Sequence, residues 1–100
     1  MRVEWTDRAL ADLRDVRESR AELSPDSADR LSAAILKRTR QLGAFPRSGR
    51  VIPEFQVEPL RELLEDEFRI LYEIYPDRVE VFGVISARRK LLPDNPPPTG

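Results

Sequence analysis

FRILYEIYPDRVEVFGVIS, residues 68–86, is the stretch that decides the fold. Side chains alternate at a period of two through residues 68–75, the signature of a strand with two unlike faces. Phe68, Ile70, Tyr72 and Ile74 share one face, and Arg69, Leu71, Glu73 and Tyr75 share the other. Pro76-Asp77 is a turn pair, with proline presetting φ at the first central position. Residues 79–86 then form a second strand. Val81, Phe82, Val84 and Ile85 make it apolar on both sides, which predicts a central position in a sheet. Gly83 suggests a bulge that lets Val79, Val81 and Val84 share a face, with the register left open.

Working outward, Leu60-Arg61-Glu62-Leu63-Leu64 reads as a preceding strand and Glu65-Asp66-Glu67 as a polar turn. Two tight turns give a three-stranded antiparallel meander. Val3 and Trp5 mark a short N-terminal strand. Thr6 offers an N-cap hydroxyl and Asp7 an acid in the first turn, and Ala9, Leu10, Leu13 and Val16 recur at helical spacing, predicting a helix over about 7–21. Ser24-Pro25-Asp26 is a second helix start, with proline at the first helical position. Ala28, Leu31, Ala34, Ile35 and Leu42 line one face of that helix, Lys37, Arg38 and Arg40 suit its C-terminal dipole, and Gly43 is its stop. A connection of three or four residues predicts an antiparallel helical hairpin, and the apolar stripes read as core packing. Residues 44–59, with Pro46, Pro53, Pro59 and Gly49, read as a loop pinned by Phe45, Val51, Ile52 and Phe55. The expected fold is α+β: a short N-terminal strand and a helical hairpin on a three- to four-stranded antiparallel sheet. One domain is expected over residues 1–92, with a proline-rich flexible tail over 93–100.

One hundred residues suit one domain. There is no cysteine and no histidine, which excludes thiolate chemistry and removes the commonest general base and transition-metal ligand. No metal or cofactor is expected. No apolar run reaches the length of a membrane span, and the N-terminus reads as no signal peptide, so a cytoplasmic chain is expected. Net charge is −1 but segregated. Residues 37–53 hold five basic groups and no acid, and residues 54–80 hold nine acids against three arginines. Arg88-Arg89-Lys90 then makes a basic run where the last strand ends, a local patch within a mildly acidic chain.

The order of elements and the phrases they carry resemble the ParE/RelE superfamily of bacterial type II toxins. The residues concerned are VEWTDRALADL (3–13), SPDSA (24–28), FPRSGRVIPE (45–54), LREL (60–63), EFRILYEI (67–74) and VEVFGVISARR (79–89). The resemblance implies a toxin neutralised by a cognate antitoxin, together forming a hetero-oligomer. It implies one of two targets. RelE-like members are ribosome-dependent mRNA endonucleases, and ParE-like members bind DNA gyrase without chemistry of their own. Metal-free RNA cleavage needs a base at the 2′-hydroxyl, an acid at the leaving oxygen and cations on the phosphate. Arg61, Arg69 and Arg88, converging on the open face with Glu62 or Glu54 as base, would be that set. RelE-like enzymes commonly carry a tyrosine or histidine near the last strand, and residues 86–92 (SARRKLL) carry neither. The resemblance is therefore closer to the ParE branch; a non-toxic binding module of the same fold is the remaining reading.

For a binding protein, the expected contact residues are Arg69, Leu71, Phe82, Arg88, Arg89 and Lys90. Leu71 with Phe82 or Val84 would form an apolar floor bordered by arginines, suited to an antitoxin segment that is disordered alone. The plainer readings are a cross-strand ion pair of Arg69 with Glu62 or Glu73, a solvated Arg61-Glu62 pair, and solvated loop arginines at 47 and 50.

Overall fold

A computed structural model describes residues 1–91. The tail expected over 93–100, like Leu92, lies outside the described residues. The chain runs β1 (Arg2–Trp5), α1 (Asp7–Leu23), α2 (Pro25–Arg40), β2 (Arg50–Val51), β3 (Leu60–Glu65), β4 (Phe68–Ile74) and β5 (Arg78–Ser86). Two short 3₁₀ turns, Gln41–Gly43 and Pro46–Ser48, lie between α2 and β2. The sheet has five strands in the order β1-β5-β4-β3-β2. The expected meander β3-β4-β5 is its antiparallel centre.

Two strands beyond the meander correct the expected count and make the sheet mixed. β1 pairs with β5 in parallel, Val3 beside Val79 and Trp5 beside Val81. This places β5 between two neighbours, the central position its two-sided apolar sequence called for. β2 arises inside the segment read as a loop and pairs Arg50 with Glu62 and Val51 with Arg61.

Local signals set the helices. The Thr6 hydroxyl accepts the Ala9 amide at 3.0 Å, satisfying one of the free donors at the start of α1. The hairpin is tighter than expected because one residue does two jobs. Ser24 donates its own amide to the Arg20 carbonyl, closing α1, while its hydroxyl accepts the Ser27 amide at 3.2 Å and caps α2.

The sheet separates two cores. On the helical side, Ala9, Leu31, Ile35 and Leu42 pack on Leu63, Ile70, Tyr72, Val79, Val81 and Val84. Each fully buried leucine or isoleucine there contributes roughly 1.5–3 kcal/mol relative to exposure. Between β4 and β5 the register steps from Leu71 beside Gly83 to Tyr72 beside Val81. Phe82 is thus the extra residue of a bulge, and Val79, Val81 and Val84 all reach the helical side as the glycine suggested. Phe82 points to the opposite face, where it joins Ile52, Leu60 and Leu71 beneath Phe55, Ile85 and Leu91. This second core was read as an open floor. Instead, the 52–55 segment and the chain after β5 fold across it. Val84, offered as part of that floor, belongs to the helical side.

Among the described residues no helix is long and apolar enough to cross a membrane.

Candidate functional site

Alternation along β4 aims Arg69 away from the helices, yet it is only 4% exposed. It sits under the loop that follows β2. Its Nε donates to Glu62 Oε1 at 2.7 Å, and its two terminal nitrogens grip both Glu54 oxygens at 2.7 Å each. Nη1 also donates to the Arg89 carbonyl at 2.8 Å, and Nη2 lies 2.6 Å from Glu62 Oε1. The guanidinium thus makes four hydrogen bonds and one further close carboxylate contact, and its grip on Glu54 is the paired geometry in which arginine–carboxylate contacts are strongest. Glu62 is 1% exposed, and its second oxygen takes the Arg50 Nε at 2.6 Å. The hydrogen bond from Arg69 holds the Glu54 carboxyl at a pKa of about 2, against the opposing effect of burial. The same contact raises the pKa of Arg69. A buried pair without such complete hydrogen bonding would be costly.

Above this network opens a cleft of about 470 Å³, lined by Arg50, Arg69, Arg88, Arg89 and Lys90, with Glu54 the one carboxylate on its wall. Leu64, Pro53 and Ala87 supply an apolar lip. Arg88, Arg89 and Lys90 are exposed, and no acid among the described residues pairs with them. The two nearby carboxylates, Glu54 and Glu62, are already consumed by Arg69 and Arg50. The cleft therefore presents net positive charge to solvent within a chain of net charge −1.

The residues singled out from the sequence divide. Arg69, Arg88, Arg89 and Lys90 come together. Leu71 and Phe82 do not join them: they are buried in the second core, 3% and 6% exposed, and do not line the cleft. Arg61 does not converge on the cleft: it pairs with Tyr72 in the β3–β4 register and shares the helical side with Leu63. There it donates to the Gly49 and Glu58 carbonyls and to Glu58 Oε1. Glu62, offered as a base and as half of a solvated pair, is sealed between two arginines. The ion-pair reading of Arg69 is the one the geometry bears out, with Glu62 and not Glu73. Arg47 and Arg50 are likewise engaged, by Glu58 at 3.0 Å and Glu62 at 2.6 Å. Sequence reasoning missed Arg50 as a member of the cleft and named Glu54 only as a base. The signal lay in residues 50–54 (RVIPE), where Ile52 and Glu54 fall at a two-residue spacing from Arg50. The prolines hid that alternation.

Fold and cleft together define a small α+β protein that carries a basic cleft on the outer face of its sheet. The chain belongs to the family described as the ParE toxin of the type II toxin–antitoxin system parDE, whose family model matches residues 3–91. Among solved structures it is similar to one described as a chromosomal ParDE toxin–antitoxin system from P. aeruginosa. That likeness has a TM-score of 0.73 and 22% identity, and covers 86% of this chain and 95% of the other. At that identity it speaks to the fold alone. No curated protein matches the chain.

Proposed function

We propose that this chain acts by binding, with DNA gyrase as its target, and that a cognate antitoxin silences it by occupying the same basic cleft. The observation that carries this reading is the division of labour among the charges. Arg69, Glu54 and Glu62 are spent on each other, while Arg88, Arg89 and Lys90 are left exposed. The groups an endonuclease would use are the engaged ones. Arg69 is held by two carboxylates and a backbone carbonyl, Glu62 is buried between two cations, and Arg61 lies on the other side of the sheet. The free groups are cations without a base beside them, which suits recognition rather than proton transfer.

The test is a supercoiling assay with purified chain, gyrase and relaxed plasmid. Inhibited supercoiling with trapped, protein-linked DNA breaks is the expected result. Induction that arrests translation and leaves mRNA cut in the ribosomal A site, with supercoiling unaffected, would replace this reading with the endonuclease one. Coexpression with the product of an adjacent short reading frame is expected to abolish the growth defect. Reversing the charge of Arg88, Arg89 and Lys90 together is expected to weaken both partnerships.

A further inference from the structure

The basic run has backbone anchors at its two ends, and they differ in kind. At the near end, turn contacts hold it: the Ala87 amide donates to the Glu67 carbonyl at 2.8 Å, and the Arg89 amide to the Ser86 carbonyl at 3.0 Å. At the far end, both contacts come from one ion pair. Arg69 Nη1 donates to the Arg89 carbonyl at 2.8 Å, and Glu54 Oε2 accepts the Leu91 amide at 2.9 Å. β5 ends at Ser86, so no strand ladder holds this segment. Leu91 then tucks its side chain against the second core.

We propose that Glu54, acting through Arg69 and the Leu91 amide, is the positioning residue of the basic run. It sets where Arg88, Arg89 and Lys90 stand over the cleft. Its consequence for binding rests on the docking reading above, whereas the anchoring itself does not. Glu54 joins three pieces that are distant in sequence: the segment after β2, the centre of β4 and the chain beyond β5. Its two oxygens meet three donors, and each oxygen has a partner on Arg69. Removing its charge would leave every cation of the run in place but loosen the backbone that carries them.

This role and a purely electrostatic one predict opposite signs. Glu54 is a negative group on the wall of a cleft that takes anions. If it acted only as a charge, Glu54→Gln would make the cleft more positive and strengthen binding of an acidic partner. As the positioning residue, the same change weakens it.

The experiment uses the full chain and a ten-residue oligoglutamate peptide as probe. Amide hydrogen exchange is followed at residues 87–91 and, as an internal reference, across β4. In Glu54→Gln, exchange at 87–91 is expected to rise about tenfold or more while β4 stays protected. Affinity for the peptide is expected to fall several-fold, with the salt dependence of binding unchanged, because the ionic contacts remain the same in number. Arg88→Ala with Arg89→Ala should lower both the affinity and its salt dependence. Glu54→Asp keeps the charge but shortens the reach, so it decides the matter if Glu54→Gln loosens the whole domain: exchange at 87–91 should rise and affinity fall. Unchanged exchange at 87–91 in a folded variant, or tighter peptide binding, would overturn the proposal. If oligoglutamate fails to bind the unmodified chain, the docking reading falls, and the exchange data still decide the anchoring.

Discussion

Tyr72 carries one hydroxyl and uses it twice. It donates to the Pro46 carbonyl at 2.7 Å and accepts the Gly49 amide at 3.0 Å, so a ring of the helical core holds the 46–49 turn in place. Burial raises its pKa, so it remains a donor at neutral pH. Tyr72→Phe leaves the buried Gly49 amide and the half-buried Pro46 carbonyl without that partner and is expected to cost about 1–3 kcal/mol, read as a lower urea midpoint. Gly49 is fixed by the same approach: an added Cβ would stand 2.4 Å from the Glu62 carbonyl and 2.6 Å from the Tyr72 hydroxyl. Glu73 shows a different residue-level conflict. Its register neighbours are Glu80 on β5 and, beyond it, Glu4 on β1, with Arg78 near Glu4 and Glu80. Burial raises the Glu73 pKa, with Glu80 adding to the rise, while the Tyr75 hydroxyl bond and Arg78 oppose it. The folded state thus holds the Glu73 proton more tightly than the unfolded chain, and ionisation at neutral pH is a cost. Glu73→Gln should therefore raise the Tm at pH 7. The gain should vanish below about pH 4.5, where Glu73 is protonated in both states. A gain that persists at acid pH would show that packing, not charge, is responsible.

At the scale of elements, the parts read correctly from sequence were those with local causes. Thr6 and Ser24 cap the helices they were expected to cap, and alternation around Arg69 placed β4's two faces correctly. Pairings that depend on the path of the chain were not legible. Nothing in residues 2–5 says that β1 lies parallel to β5, because its partner strand begins more than 70 residues later. β2 is only two residues long and flanked by prolines, too short to show a period. The end of β1 leaves the rest of β5 an unpaired edge, which α1 answers with a side chain: Asp12 Oδ2 accepts the Val84 amide at 3.1 Å. That single cap stands where a strand would otherwise add. Ser24 is the most exposed of these local causes to substitution. Ser24→Ala removes the cap of α2 while leaving the backbone closure of α1, and should cost about 1 kcal/mol in chemical denaturation. A cost near zero would mean that Pro25 and Asp26 suffice to start the helix.

At the scale of the whole molecule, the outer face of the sheet is sorted by charge. The basic cleft lies at the Arg69 end of β4, the second apolar core lies in the middle, and the row Glu73, Glu80 and Glu4 lies at the other end. The sequence revealed the basic run and the arginine beneath it. It could not reveal that Glu54 crosses from a proline-rich segment to claim that arginine, because the contact spans 15 residues with no periodic cue. Glu54 and Glu73 share this face but titrate with opposite signs. The bond from Arg69 holds Glu54 at about 2, well below its ordinary value of 4.5. Its contribution is thus fully present above about pH 4.5 and is lost as pH falls through about 2. Removing it should release the 52–55 segment and the chain after Ser86 together, because Glu54 is bonded to Arg69 and to the Leu91 amide. The measurement is the stability difference between the unmodified chain and Glu54→Gln across this range. The difference should be large at pH 6, shrink as pH falls below 4.5 and approach zero near pH 2, where the protonated carboxyl resembles the amide. A difference that stays constant down to pH 2 would mean that Glu54 does not titrate with the fold. The far end of the basic run would then have to be held by the Arg69 bond to the Arg89 carbonyl and by Leu91 packing, without the Glu54 charge.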